Sequence, residues 1–133
     1  MFKHEVILDT NFLLIPGQFN VNIFAEIERI MNVPYKLCII DKSIEELNKI
    51  SVLGKQKDVN ATKLAVALIG SLIKQKSLKT ITSSPKLSVD DTIVKKANKK
   101  VYIATQDKEL KKRVKEKEAK VITLKQKKYL VID

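Results

Sequence analysis

Short apolar runs alternate along this chain with longer stretches whose apolar positions recur every three or four residues. Val6-Ile7-Leu8 reads as a buried strand that stops at Asp9. Thr10-Asn11 begins a turn, and Pro16-Gly17 punctuates the loop after it. Residues 21–32 place Ile23, Ile27 and Ile30 at helical spacing, with Phe24 and Met31 widening the face, and Pro34 breaks that helix. Leu37–Ile40 is a second strand. Residues 43–52 predict a helix with Ile44, Leu47 and Ile50 on one face. The polar stretch 54–60 reads as a loop. A long helix is expected from Ala61 to Lys76, with Leu64, Leu68 and Leu72 as its apolar stripe.

Lys79–Thr82 is a short strand and Ser83-Ser84-Pro85 a loop. A helix follows over 89–99, with Ile93 and Ala97 four apart. Val101–Thr105 is a strand, 108–118 a basic helix, Val121–Leu124 a strand and Tyr129–Ile132 a last edge element. Strands alternating with helices imply βαβ units and a mostly parallel α/β sheet. Right-handed crossovers put the strands' C-terminal ends on one edge, and the ligand crevice of such folds lies outside that edge.

That edge gathers acids. Asp9 ends the first strand, and Glu46 lies early in the helix after the second. Asp90 and Asp91 open the helix after the third, and Asp107 follows the fourth. Converging carboxylates repel, and without a cation some would hold their protons unusually high. A hard divalent ion resolves this, because Mg²⁺ and Mn²⁺ take oxygen ligands and keep waters for substrate phosphates. Such an ion activates water and stabilises charge on a phosphodiester. No other nucleophile–base set competes: His4 is the only histidine and reads as a surface residue, and Cys38 sits inside an apolar strand and reads as core. Thr10, Asn11 and Thr105 are supporting candidates that orient water or metal.

Each acid also has an ordinary reading. Asp107 suits a helix N-cap, and Asp9 an Asx turn. Ser43-x-x-Glu46 matches a capping box, as does Ser88-x-x-Asp91 with Asp for Glu. Asp90 is therefore the better third metal ligand, with Asp91 kept as an alternative.

Length and composition set the frame. The 133 residues suit one domain over 1–133. With Cys38 alone no internal disulfide forms, which favours a reducing compartment. The short apolar run before Asp9 lacks the length of a signal peptide, and no run spans a bilayer. A cytoplasmic protein without a membrane partner is the expectation, and self-association into a homo-oligomer is compatible with it. The net charge of +11 is local: residues 95–128 hold 14 Lys or Arg against 4 acids, while the rest holds 12 against 11. A basic region on a balanced chain points to a polyanionic partner, with Lys111, Lys112 and Arg113 as candidate phosphate contacts.

Together these residues resemble a known family. Leu8-Asp9-Thr10-Asn11-Phe12-Leu13-Leu14 resembles the opening motif of PIN domains. Glu46-Leu47 is similar to their second acidic position, Asp90-Asp91-Thr92-Ile93 with Ala97 to the third, and Ala104-Thr105-Gln106-Asp107 with Glu109-Leu110-Lys111 to the fourth. The motifs stand in the family's order and cover nearly the whole chain. The resemblance implies a three-layer α/β/α fold and cleavage of single-stranded or locally unpaired RNA with Mg²⁺ or Mn²⁺. Ile15-Pro16-Gly17-Gln18-Phe19 and the stretch Thr105–Arg113 look most like the branch acting on pre-ribosomal RNA in the small-subunit processome, and imply an archaeal-type relative of it. One cysteine leaves no zinc ribbon of the kind some ribosome-processing relatives carry.

Three other readings compete. A toxin of the VapC type shares this fold and chemistry, and would bring an antitoxin and a dimer interface. A non-catalytic RNA-binding PIN domain would keep affinity without the full acidic set. A phosphoacceptor receiver domain also has acids at strand ends, but pairs them after its first strand; here the pair follows a later one.

Overall fold

The computed structural model describes residues 4–133, and of Gln56 and Lys57 the backbone only. Six strands form one sheet: β1 (His4–Leu8), β2 (Tyr35–Ile40), β3 (Leu78–Ile81), β4 (Val101–Ala104), β5 (Lys120–Lys125) and β6 (Tyr129–Ile132). Their order is β3-β2-β1-β4-β5-β6. All pairs are parallel except the β5–β6 hairpin. The order reverses at β1, where β2 and β4 lie on either side, so the crevice expected of such sheets opens above Asp9.

The four inner strands, β2, β1, β4 and β5, are apolar on both faces because helices cover both. Val6, Leu8, Leu37, Ile39, Tyr102, Ala104, Ile122 and Leu124 point into one core. Ile7, Cys38, Ile40, Val101, Ile103 and Val121 point into the other. Helices α1 (Ile15–Phe19), α2 (Ile23–Ile30), α3 (Asp41–Leu53) and α4 (Gln56–Lys74) carry residues of the first core. Helices α5 (Val89–Lys96) and α6 (Lys108–Glu116) carry the second. The mostly parallel sheet is the one the pattern predicts, and the three-layer α/β/α arrangement is the one the family resemblance implies. Cys38 is fully buried, as expected. His4 departs from its surface reading: it is half-buried, its ring 6.2 Å from that of Tyr102.

Three local expectations are corrected. Residues 11–19 are not a turn and loop but a 3-10 turn at Asn11–Leu14 running into α1. Proline is tolerated in a first helical turn, where its missing N–H would be unpaired anyway. Gly17 serves a close approach, since a Cβ there would stand 2.5 Å from the Ala61 Cα. Residues 54–60 are not a loop: only Gly54 and Lys55 separate α3 from α4, and the residues after them form the first turn of α4. The buried stripe of α4 is Ala61, Ala65 and Ile69. Leu64 is 42% exposed, and Leu68 lines a surface groove with Pro16, Val21 and Phe24. Small residues face inward because α1 lies close against this helix.

Candidate functional site at the C-terminal edge of the sheet

Asp9 follows β1 directly, and its amide donates to the Ala104 carbonyl across the gap to β4. Its side chain is only 6% exposed. One carboxylate oxygen accepts from the Thr10 amide at 2.8 Å. The other accepts from the Thr105 hydroxyl at 2.8 Å. Burial pushes its pKa up to about 6; the Thr105 hydrogen bond opposes this, and the negative charges of Asp90 and Asp107 add to it. A buried carboxylate with no cation beside it favours its proton.

Asp107 is the N-cap of α6, accepting from the Leu110 amide at 3.0 Å, and its own amide donates to the Thr105 hydroxyl oxygen at 3.1 Å. Thr105, fully buried, thus links Asp9 to Asp107. Asp90 is half-buried in the first turn of α5, and burial raises its pKa, followed by the charge of Asp107. Asp90 and Asp107 thus both raise the pKa of Asp9, and Asp107 raises that of Asp90. Among the described residues, however, no three His, Cys, Asp or Glu side chains close into a ready metal cage.

The other candidates divide. Asp91 is exposed and paired with Arg113 at 2.9 Å, and that bond holds its carboxyl below the usual range. Its amide donates to the Ser88 hydroxyl, which caps α5 as the capping-box reading expects. Ser43 is not a cap: α3 begins at Asp41, and the buried Ser43 hydroxyl accepts instead from the Thr10 hydroxyl at 2.8 Å. Glu46 is exposed on α3. Thr10 is buried beside Asp9, and Asn11 is exposed at the start of the 3-10 turn.

Of the basic candidates, Lys112 is exposed, whereas Arg113 is committed to Asp91. Lys111 is half-buried and donates to the Thr123 hydroxyl at 2.8 Å; burial lowers its pKa. Lys108, Lys111, Lys112 and Lys115, together with Glu116 and Asp133, line an open cleft of about 620 Å³ along α6, and Lys115 is paired there with Asp133 at 3.2 Å. Sequence reasoning missed two supports. Gln106 accepts from the Thr123 hydroxyl and the Leu124 amide, each at 2.6 Å, and so pins the loop before Asp107 to β5. The Asp41-Lys42-Ser43 turn binds neighbouring loops at the same edge. A polar residue beside an acidic motif is the faint signal available for Gln106; nothing in the pattern marks Lys42.

One buried carboxylate, Asp9, thus stands at the switch point of a doubly wound sheet, with the half-buried Asp90 and the exposed Asp107 on the same edge and a lysine-rich helix beside them. Residues 6–127 match the family described as a PIN like domain, and the chain belongs to that family. It is 35% identical over 132 residues to "Ribonuclease VapC4" of Methanocaldococcus jannaschii, covering 97% of this chain and 96% of that one. The fold is that of "the PIN domain endonuclease Utp24", with a TM-score of 0.74, 22% identity, and coverage of 97% of this chain and 90% of that one. A domain of a functionally unknown protein from Methanocaldococcus jannaschii superposes with a TM-score of 0.59 at 16% identity, over 92% of this chain and 91% of that one. Among the described residues, no helix is long and apolar enough to cross a membrane.

Proposed function

We propose that this protein is a metal-dependent endoribonuclease of the VapC type. The observation that carries the reading is Asp9: a buried carboxylate at the switch point, raised to about pH 6 and sensing both Asp90 and Asp107. A divalent cation at this edge would relieve that repulsion. The donor set suits a hard ion that keeps part of its water shell, because the carboxylates share a field without closing a cage. Asp9, Asp90 and Asp107 would hold Mg²⁺ or Mn²⁺; Glu46, exposed on α3 and not among the charges that raise Asp9 or Asp90, is the weakest of the proposed catalytic acids. When bound, the ion supplies an activated water and charge stabilisation for the phosphodiester. Asp91 is the weaker ligand, since leaving Arg113 would cost it an ion pair. Thr10 and Thr105 orient Asp9; the lysines of α6 hold RNA phosphates.

The VapC reading is preferred over pre-ribosomal RNA processing because the relative similar over its full length is a VapC ribonuclease. The likeness to the Utp24 nuclease is one of fold. RNA is the substrate under either reading, in a cytoplasmic setting.

The test is cleavage of a panel of RNAs with Mn²⁺, with Mg²⁺ and with EDTA. Cleavage is expected only with metal and is expected to vanish in Asp9→Asn while RNA binding persists. Binding without cleavage in the wild type would make the chain a non-catalytic RNA-binding PIN domain. RNA left intact and unbound would remove the reading altogether.

A further inference from the structure

The first turn of α3 does more than start a helix. Lys42 aims its ammonium into the loop joining β3 to α5 and donates to three carbonyls there: Ser84 at 3.0 Å, Pro85 at 3.2 Å, and Leu87. An ammonium has three N–H donors, so the match is complete. Beside it, Asp41 accepts from the Ser83 amide at 3.1 Å and the Ser83 hydroxyl at 2.6 Å. The clamped loop ends at Ser88, the N-cap of α5, whose first turn carries Asp90. On the other side, Ser43 takes the Thr10 hydroxyl next to Asp9.

We infer that Lys42 is a positioning residue for Asp90: it clamps the 83–88 loop and thereby sets α5 against the edge where Asp9 and Asp107 stand. This rests on the reading of that edge as a metal site. Three consecutive residues, Asp41, Lys42 and Ser43, thus tie the segments after β1 and β3 to the end of β2. Converging carbonyls need a compact cation with three diverging donors. A planar guanidinium presents a fork and does not fill the same position. Loss of a group bonded directly to a metal ligand typically weakens affinity 10–100-fold; Lys42 acts one step further out, through the loop, so the low end of that range is expected.

The experiment uses the full chain with Lys42→Met and Lys42→Arg, and measures Mn²⁺ affinity by electron paramagnetic resonance and amide exchange over residues 84–91. Lys42→Met is expected to weaken Mn²⁺ binding about tenfold and to speed exchange in this loop and the first turn of α5. Exchange in β1 and β4 should stay unchanged. Lys42→Arg, which keeps the charge and serves if the Met variant fails to fold, should recover less than half of the lost affinity on a logarithmic scale. In an Asp90→Asn background the Lys42 change should have little further effect, since both act through one ligand. Unchanged loop exchange, full recovery by Arg, or an undiminished effect without Asp90 would each overturn the proposal. A wild type with no Mn²⁺ affinity overturns the nuclease reading instead, and loop exchange then decides the clamp alone.

Discussion

Under the proposed function Asp9 gives up stability for chemistry, and the direction of that exchange can be measured. Its pKa rises from 3.8 to about 6 on folding, chiefly through burial. A raised carboxyl contributes stability that is fully present below about pH 4 and is lost as pH climbs through 6. Two pKa units correspond to about 3 kcal/mol. Metal-free protein should therefore melt at a lower temperature at pH 8 than at pH 5 so far as Asp9 governs it. Asp9→Asn should remove much of that difference and raise the melting temperature at pH 8 in EDTA by several degrees, while abolishing cleavage; calorimetry at the two pH values checks it. Thr105 works against the same burial by donating to the Asp9 carboxylate. Thr105→Val should move the acidic limb of the cleavage profile to higher pH and cut the rate about 10–100-fold. An unmoved limb in a pH–rate series would show that the hydroxyl serves folding alone.

At the scale of elements, β1, β2, β4 and β5 were legible because both of their faces are buried, which gives unbroken apolar runs. From that alternation the acidic edge followed, and the N-caps Ser88 and Asp107 were readable from their spacing. What escaped were features set by tertiary contact. Bulk hydrophobicity marked Leu64 and Leu68, but α4 turns Ala61 and Ala65 inward because α1 leaves room only for small side chains. Pro16-Gly17 looked like punctuation for the same reason. The Asp91–Arg113 pair joins α5 to α6 across 22 residues, and no local pattern encodes it. Nor does any pattern encode the carbonyls around Lys42. Gly17→Ala tests the α1–α4 approach: a Cβ 2.5 Å from the Ala61 backbone must push the helices apart. The cost should be about 1–3 kcal/mol by urea unfolding. Ala61→Gly in the same background would leave most of it in place, because the nearest clash is with Cα.

Across the whole molecule, basic side chains gather beside the acidic edge, and under the proposed function they would draw a polyanion towards acids that otherwise repel it. The chain carries +11, and its lysines concentrate along α6 and at the β5–β6 hairpin, where Lys125, Lys127 and Lys128 are exposed. Because β5 runs parallel to β4, that hairpin tip lies on the same edge as Asp9. A bound RNA strand would displace counterions, so log affinity should fall linearly with log salt, by about 0.7 per phosphate contacted for a single strand. The ion pairs already present decide which cations contribute. Lys112 is exposed, so Lys112→Gln should weaken binding similarly for every RNA sequence and reduce the slope by about 0.7. Arg113 is balanced by Asp91, so Arg113→Gln should leave the slope nearly unchanged and act instead through the acids. Its cation presently lowers the pKa of Asp90, so removing it should raise that pKa and shift the onset of cleavage to higher pH. Fluorescence anisotropy at four salt concentrations with Asp9→Asn, together with the pH–rate profile of otherwise wild-type Arg113→Gln, separates the two roles. Equal slopes lost at both positions would mean that RNA binding opens the Asp91 pair and recruits Arg113 to the backbone.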